Sequence, residues 1–380
     1  MDNFKAFNPT YLLFGKDVVR KLGKTTREFG DKTLLIYGKG SIKRNGIYDS
    51  VKNVLRDENV HVFEFSGVKS NPVFEDVDAA AQIVKKYNID TIIAVGGGSV
   101  LDTAKMISIT AKVKHSCWDF IMEKSYPTEA VPVICVLTLA ATGSEMNPYA
   151  VIQNDKTKQK IGYGHPLLYP KYSFLDPSYT LTVSDRYTSY SIVDIIAHCL
   201  EAYFGKGNCD LTDKISISII KETMHKGLKL INDSDNYELR ADIMLASTLA
   251  LNGITFYGKS YGDWGVHSIG HELSVLYDMA HGASLSIAFV AWLKILAPRI
   301  PDRIIMLGKE LFENIETVDD VISNFMLFYK KIDAPVKISD VVKSYNKEQI
   351  LNQLKINKVN GSCYNLSQLD YSKLVDYMCE

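Results

Sequence analysis

The first half of the chain alternates short apolar runs with longer segments of helical spacing. The apolar runs cover residues 33–37, 60–65, 91–95 and 131–137. The helical segments between them cover residues 41–55, 73–87 and 99–111. Because near-continuous apolar strands are typical of a parallel sheet covered on both faces, this series predicts a Rossmann-like α/β domain. Its ligand should bind beyond the carboxyl ends of the strands.

After about residue 180 the apolar residues recur at intervals of three and four. Segments of this kind cover residues 185–203, 213–231, 237–254, 263–276 and 283–297. They predict an all-α helix bundle, with Ser184 or Asp185 as the N-cap of its first helix. Since 380 residues exceed an ordinary single core, we predict an α/β domain over residues 1–182 and a helical domain over residues 183–380.

Composition narrows the possible function classes. Hydrophobic residues make up 46% of the chain and charged residues 23%, and the formal net charge is −1. This balance predicts no electrostatic attraction to nucleic acid or to an anionic membrane. The N-terminal residues lack the apolar core of a signal peptide, and the six cysteines form no CxxC pair. We therefore expect a cytoplasmic protein with neither a nucleic-acid nor a membrane partner.

Glycine and hydroxyl residues follow several of the predicted strands. Gly96, Gly97 and Gly98, followed by Ser99 and Asp102, join a strand to a helix. Glycines let the backbone approach a ligand, and the N–H groups and dipole of a helix N-terminus favour a phosphate. Residues 138–145, rich in small and hydroxyl side chains, follow another strand. They form either part of a cofactor groove or a loop of capping residues.

Residues 38–43 bear on the choice of dinucleotide. Sites for NAD often place an acidic residue here, where it accepts from the 2′-hydroxyl of the adenine ribose. Gly38, Lys39, Ser41 and Lys43 occupy the segment instead. A carboxylate would repel a 2′-phosphate, whereas a hydroxyl and lysines can bind one. We therefore predict NADP(H) in preference to NAD(H).

Five residues in the helical half combine a carboxylate with imidazoles. Asp194 and His198 are four residues apart, as are His267 and His271, and His281 precedes a glycine. Residues four apart share one face of a helix, and this donor set suits Zn²⁺ or Fe²⁺. A continuous helix from residue 267 to residue 281 would separate those two histidines by about 21 Å. Either the helix ends between them and the chain reverses, or His271 replaces one of them.

With these residues identified, the chain resembles the iron-containing (group III) alcohol dehydrogenases, particularly their NADPH-dependent butanol dehydrogenase-like branch. The resemblance rests above all on residues 96–105 and on the histidine-containing segment 265–282. It implies a dehydroquinate synthase-like architecture and a homodimer. The metal ligands that it implies are Asp194, His198, His267 and His281. It places His271 beside the nicotinamide and the substrate.

The same matching implies which residues contact the dinucleotide. Those residues are Gly38, Asn71, Gly97, Gly98, Ser99, Asp102, Thr138, Thr142, Lys160 and Leu181. Ser41 is added to them because its hydroxyl can bind a 2′-phosphate. NAD-using relatives carry an aspartate where this chain has Gly38, which agrees with the prediction of NADP(H).

The implied reaction is hydride transfer between NAD(P)H and a small aldehyde or primary alcohol. A divalent metal would act as Lewis acid, and His271 would relay a proton. A dehydroquinate synthase-type lyase is an alternative, but it would need a basic pocket for an acidic phosphorylated substrate, which the sequence does not identify. A glycerol dehydrogenase-like polyol dehydrogenase would use fewer metal ligands. A metal- and nucleotide-binding sensor would bind both groups without turnover.

Overall fold

Six parallel strands form the largest sheet of this computed structural model, which describes residues 1–380. The strands of the chain are β1 (Tyr11–Phe14), β2 (Lys32–Tyr37), β3 (His61–Ser66), β4 (Thr91–Gly96), β5 (Val133–Leu137), β6 (Tyr149–Asn154), β7 (Gln159–Gly164) and β8 (Tyr172–Leu175). The sheet order is β1-β8-β5-β4-β2-β3, and β6 and β7 pair as a separate antiparallel hairpin. The predicted parallel sheet is confirmed.

Both faces of this sheet are buried, as its apolar sequence predicted. Successive side chains of a strand point to opposite faces. In β2, Leu34 and Ile36 belong to one apolar cluster, whereas Leu35 and Tyr37 belong to another. The side chains of β4 and β5 alternate between the same two clusters. A strand that contributes to two cores has few positions for polar residues, which explains the continuous apolar runs.

Fifteen α-helices accompany the strands. They are α1 (Leu22–Arg27), α2 (Ser41–Arg44), α3 (Ile47–Asp57), α4 (Phe74–Tyr87), α5 (Gly98–Thr110), α6 (Cys117–Ile121), α7 (Asp185–Tyr203), α8 (Asp210–Asn232), α9 (Tyr237–Leu251), α10 (Gly265–Tyr277), α11 (His281–Leu296), α12 (Pro301–Leu311), α13 (Val318–Lys331), α14 (Lys347–Ile356) and α15 (Gln368–Cys379). The prediction of one helix over residues 41–55 is wrong, because the chain breaks into α2 and α3 at Asn45 and Gly46. Gly46 has a φ of 79°, a left-handed conformation that interrupts a right-handed helix.

The chain forms two compact units. The first, which we call the α/β unit, comprises Phe7–Val183 and Asp235–Thr248. The second, which we call the helical unit, comprises Met1–Ala6, Ser184–Ser234 and Leu249–Glu380. Most of α9 therefore packs with the α/β unit, although it lies within the helical half of the sequence.

Two buried helices belong to the helical unit. α7 begins after Ser184, whose side chain accepts a hydrogen bond from the N–H of Tyr187, so the predicted N-cap is confirmed. Every residue of α7 from Thr188 to Tyr203 is buried, and α7 packs against α8 and α11. α11 is buried in the same way beyond its first residue, except at the half-buried Lys294. Such helices belong inside a bundle. None of the chain's helices has the length and apolar character needed to cross a membrane.

Candidate metal centre

Three helices of the helical unit carry the predicted metal ligands. Asp194 and His198 lie one turn apart on α7, His267 is near the start of α10, and His281 is the first residue of α11. α10 ends because the next residue, Asp278, adopts the left-handed conformation (φ 47°, ψ 35°). The chain then enters α11, so the histidines at 267 and 281 belong to different helices. This is one of the two arrangements that the helix rise allowed.

Gly282 lets the start of α11 approach α7 closely. A Cβ atom at this position would lie 2.3 Å from the carbonyl oxygen of Tyr190 and 2.6 Å from its Cα. Backbone atoms within a helix cannot yield to such a contact, so only glycine fits without displacing one helix. Tyr190 precedes Asp194 by one helical turn. The close approach therefore brings His281 beside the carboxylate.

The three imidazoles converge on one carboxylate oxygen of Asp194. Nδ1 of His198, Nε2 of His267 and Nε2 of His281 each lie 3.7 Å from Oδ1 of Asp194. These distances are too long for hydrogen bonds. They are close to the spacing of about 3.4 Å between ligand atoms placed tetrahedrally around an ion. The ligand atoms of Asp194, His267 and His281 lie within 4.8 Å of one another and form a candidate metal site.

The buried atoms of this cluster fit a cation. Oδ1 of Asp194, Nδ1 of His198 and Nε2 of His267 are buried without a hydrogen-bond partner. Such atoms are rare in folded proteins, because each has lost its hydration without a replacement. One divalent ion would satisfy all three atoms. The residues present therefore fit the kind of metal that the sequence predicted.

His198 and His271 differ from the three mutually close candidate ligands. The ring of His198 stacks on that of His267 with centroids 4.7 Å apart, but His198 lies outside the three-residue group. His271 is also outside this group, and its ring centroid lies 5.7 Å from that of His281. The side chain of His281 is 27% exposed, whereas the side chain of Asp194 is buried. A small molecule can therefore reach the cluster from the side of His281.

The protonation states of the cluster suit metal binding. Burial alone would raise the pKa of Asp194, but the imidazoles of His198, His281 and His267 hold this pKa well below the usual range. Burial lowers the pKa of His198 to about 4. Burial also opposes protonation of His267, but the carboxylates of Asp194 and Glu201 raise its pKa to about 9. At pH 7, His267 must therefore release a proton to bind a metal, whereas Asp194 and His198 already have the ligand state.

The predicted cofactor segments follow neighbouring strands of the α/β unit. Gly38 follows β2, Gly97 follows β4 and Thr138 follows β5, and these strands are adjacent and parallel. A Cβ atom at Gly98 would lie 2.5 Å from Cγ2 of Thr142, so the loops after β4 and β5 are in contact. α5 begins at Gly98 and has no side-chain cap. Its N-terminus can therefore bind an anion through backbone N–H groups.

Three other predicted cofactor residues are bonded within the α/β unit. The carboxylate of Asp102 accepts from the hydroxyl of Ser144 (2.6 Å) and from the N–H of Val151 (2.9 Å). Burial raises the pKa of Asp102. The ammonium of Lys160 donates to the side-chain oxygen of Asn71 (2.9 Å). These hydrogen bonds connect α5 and the hairpin to the loops around them.

The remaining predicted cofactor residues are more exposed. Ser41 is exposed at the start of α2, whereas Ser99 and Leu181 are half-buried. The side chains of Asn45, just after α2, and Thr182 are hydrogen-bonded at 3.0 Å. The segment that contains Leu181 therefore lies beside the segment that contains Ser41.

Comparison with known proteins identifies the family. The family described as "iron-containing alcohol dehydrogenase" matches residues 9–177, and its C-terminal counterpart matches residues 188–366. This chain belongs to the iron-containing alcohol dehydrogenase family. The dehydrogenase is 38% identical to the "probable NADH-dependent butanol dehydrogenase 1" of Bacillus subtilis, over 93% of this chain and 99% of that protein. It is 31% identical to the "NADPH-dependent aldehyde reductase YqhD" of Escherichia coli, over 90% of this chain and 89% of that protein.

The fold agrees with this assignment. The crystal structure of "NADH-dependent butanol dehydrogenase A" from Thermotoga maritima matches with a TM-score of 0.96 and 36% identity, over 100% of this chain and 99% of that chain. The predicted pairing of an N-terminal parallel α/β region with a helical C-terminal region is confirmed. The protein is an alcohol/aldehyde oxidoreductase that uses a divalent metal and a nicotinamide cofactor.

The sequence reasoning missed one residue that contacts a predicted ligand of this dehydrogenase. Oε1 of Glu201 accepts hydrogen bonds from the backbone N–H (3.1 Å) and from Nδ1 (3.0 Å) of His267. Glu201 follows Asp194 by seven residues and His198 by three, so all three lie on one face of α7. That spacing was the signal that could have indicated the carboxylate.

Proposed function

We propose that this dehydrogenase interconverts small aldehydes and primary alcohols with NADP(H), and that its metal is Fe²⁺ or Zn²⁺. The proposed ligands are Asp194, His198, His267 and His281. The supporting observation is that three imidazole nitrogens each lie 3.7 Å from the same carboxylate oxygen. That spacing suits ligands around a divalent ion and does not suit a network of hydrogen bonds.

The residues of the cluster have distinct parts in this chemistry. Held by these four side chains, a divalent ion would supply a Lewis acid for the substrate oxygen, and a bound nicotinamide would supply the hydride chemistry. The carboxylate of Asp194 offsets part of the positive charge, and neutral imidazoles leave the remainder to act on the substrate. We assign to His271, beside His281, the proton that the substrate oxygen receives when an aldehyde is reduced. Trp264 packs edge-on against the ring of His267 and excludes water from that side.

The proposed preference for NADP(H) is supported by the end of β2. Gly38 offers no carboxylate, and a Cβ atom there would meet only the carbonyl oxygen of Val68, at 3.6 Å. The space beside the Cα atom of Gly38 is therefore open. The hydroxyl of Ser41 is exposed three residues later. The ammonium of Lys43 lies 5.1 Å from the ring centroid of Tyr37, so a positive charge lies near the end of the strand.

A turnover assay with and without metal tests the proposed reaction. The full chain is stripped with a chelator, reloaded with Zn²⁺ or, without oxygen, with Fe²⁺, and assayed with butanal and its homologues. We expect turnover to disappear with the metal and to return when the metal is restored. The absence of metal-sensitive turnover across a panel of aldehydes and alcohols would contradict the proposal.

Kinetics with both dinucleotides test the cofactor preference. Relatives of this chain carry names that specify either NADH or NADPH, so the two must be compared on one preparation. We expect kcat/KM to be higher with NADPH than with NADH. Equal values, or a higher value with NADH, would contradict the preference and leave the metal chemistry unaffected.

We also propose a homodimer, which membership of the family supports. β1 is an edge strand of the sheet, and its Tyr11 is exposed. Proteins commonly cover such edges with another chain or with another part of the same chain. Sedimentation analysis should give twice the monomer mass of 42.6 kDa. A species of the monomer mass at assay concentrations would contradict this assembly.

A further inference from the structure

We infer that Glu201 is a positioning residue of the metal centre, because it fixes the tautomer and orientation of the His267 ring. The inference rests on the proposed metal-binding function and adds a residue that acts through a ligand. A neutral imidazole carries its proton on one ring nitrogen and a lone pair on the other. Only the nitrogen with the lone pair can bind a metal, so the position of the proton decides which side of the ring is a ligand.

The hydrogen bonds of Glu201 select one tautomer. Its Oε1 lies 3.0 Å from Nδ1 of His267 and also accepts from a backbone N–H, so this oxygen acts as an acceptor. In the neutral ring Nδ1 must therefore carry the proton, which leaves the lone pair on Nε2. Nε2 is the atom that lies 3.7 Å from Oδ1 of Asp194 and has no hydrogen-bond partner. The carboxylate thus orients the ring towards the candidate metal site.

The same oxygen also fixes the start of α10. Oε1 of Glu201 accepts from the backbone N–H of His267 at 3.1 Å. This N–H belongs to the first turn of α10, where backbone donors have no partner within the helix, and α10 has no side-chain cap from the residue that precedes it. Glu201 therefore caps α10 and holds the ring of the same residue. One atom determines both the position and the rotation of this ligand.

The backbone of Glu201 is held in turn by the segment before α10. The N–H of Asp263 donates to the carbonyl oxygen of Glu201 at 3.0 Å. The carboxylate of Asp263 accepts from the indole N–H of Trp292 (2.9 Å) and from the N–H of Cys363 (3.0 Å). α7 and the residues leading into α10 are therefore joined through both the main chain and the side chain of Glu201. The carboxylate has little freedom to leave His267.

Metal affinity of matched variants tests this role. Glu201→Gln keeps an acceptor oxygen but removes the charge, whereas Glu201→Leu removes the acceptor. Glu272 provides the control, because it is a buried carboxylate of α10 that accepts from Gln353 and Asn357 and from none of the proposed ligands. Zn²⁺ affinity of the metal-stripped full chain is measured by competition with a chelator, and NADPH affinity and thermal unfolding are measured in parallel.

We expect Glu201→Leu to weaken Zn²⁺ binding by roughly 10- to 100-fold. Glu201→Gln should have a smaller effect, and Glu272→Leu should stay within twofold of the wild type. Zn²⁺ affinity of Glu201→Leu within twofold of the wild type would overturn the inference. An equal loss in Glu272→Leu would also overturn it, since it would reveal a general effect of buried charge removal.

Nitrogen NMR of histidine-labelled, Zn²⁺-loaded wild-type protein tests the tautomer directly, in a chain whose Glu201 is intact. The spectrum should show His267 protonated at Nδ1, with the signal assigned by its loss in His267→Gln. Protonation at Nε2 would overturn the inference while the proposed function stands. Failure of the wild-type chain to bind Zn²⁺ and Fe²⁺ would overturn both.

Discussion

The glycine-rich edge of the α/β unit and the histidine cluster of the helical unit offer different groups to a ligand. The first offers backbone N–H groups, and the second offers side-chain atoms. At the sheet edge, Gly97 leaves the start of α5 without a side-chain cap, and the carboxylate of Asp102 is already hydrogen-bonded to its neighbours. In the cluster, the backbone is helical, and Oδ1 of Asp194 and Nε2 of His267 have no hydrogen-bond partner. Cofactor binding at the glycine-rich edge should therefore weaken when a side-chain atom is added. Metal binding at the cluster should weaken when a side-chain donor is lost.

The largest effect should follow the loss of the charge in the cluster. Asp194→Asn removes the anionic ligand, so we expect metal content to fall and kcat to decrease by about 1000-fold, corresponding to several kcal/mol of lost Lewis acid stabilisation. NADPH affinity should not change. Metal analysis and kinetics check this. Asp185→Asn, an exposed carboxylate on the same helix, is the control. A metal-loaded, fully active Asp194→Asn variant would refute the ligand role.

An added methyl group should also damage the cluster at one position. Gly282→Ala places a Cβ atom 2.3 Å from a backbone oxygen of α7, so α11 must shift and carry His281 with it. A displacement of about 1 Å can cost roughly 100-fold, and we expect a loss of this size in Zn²⁺ affinity, measured by chelator competition. Ala288→Gly in the same helix costs about 1 kcal/mol of helix stability and should leave the affinity intact. Wild-type affinity in Gly282→Ala would show that α11 does not need this contact.

The predicted cofactor-binding edge of the sheet should respond to charge at Gly38, which is half-buried. Gly38→Asp has space for its side chain, and repulsion of a 2′-phosphate by about 2 kcal/mol would lower kcat/KM with NADPH about 30-fold. The value with NADH should change little. Gly38→Asn has the same shape without the charge and should have a much smaller effect. Equal losses with both dinucleotides would indicate that Gly38 does not face the 2′ position.

A smaller effect is expected where the two loops that are predicted to bind the cofactor touch. Gly98→Ala places a methyl group 2.5 Å from Thr142, so the start of α5 must move. The loss of one hydrogen bond to a charged phosphate, about 1.5 kcal/mol, would raise the KM for NADPH roughly 10-fold. Metal affinity should not change. Gly162→Ala on β7 is the control, because its Cβ atom would lie 3.9 Å from Val151. A normal KM in Gly98→Ala would separate this loop from the cofactor.

Much of the fold could be predicted because it follows from the local pattern of apolar and polar residues along the chain. Residues buried on both faces of β2 and β4 must be apolar in succession, and α7 starts at a side-chain cap that is visible in the sequence. The spacing of the proposed ligands on α7 is equally local. These features depend on neighbours along the chain, so pattern and structure agree closely.

Other features depend on contacts between distant segments, and spacing could not decide them. The return of Asp235–Thr248 to the α/β unit is set by the surface on which α9 packs. The reversal at Asp278 has no glycine or proline to announce it, although the residue adopts φ 47°. The contact of Glu201 with His267 joins residues 66 positions apart. Helical spacing shows that Glu201 faces the same way as Asp194, but it does not identify the partner.

The origin of the proposed ligands on three helices makes the ion a cross-link of the helical unit. Packing and hydrogen bonds join α7, α10 and α11, and a shared ion would add a further connection between them. An ion that binds the folded state alone raises the free energy of unfolding by about 4 kcal/mol when its free concentration is 1000 times its Kd. Calorimetry should therefore show that the melting temperature of this unit rises with Zn²⁺ concentration. The supply of metal would then govern the lifetime of the folded enzyme as well as its turnover.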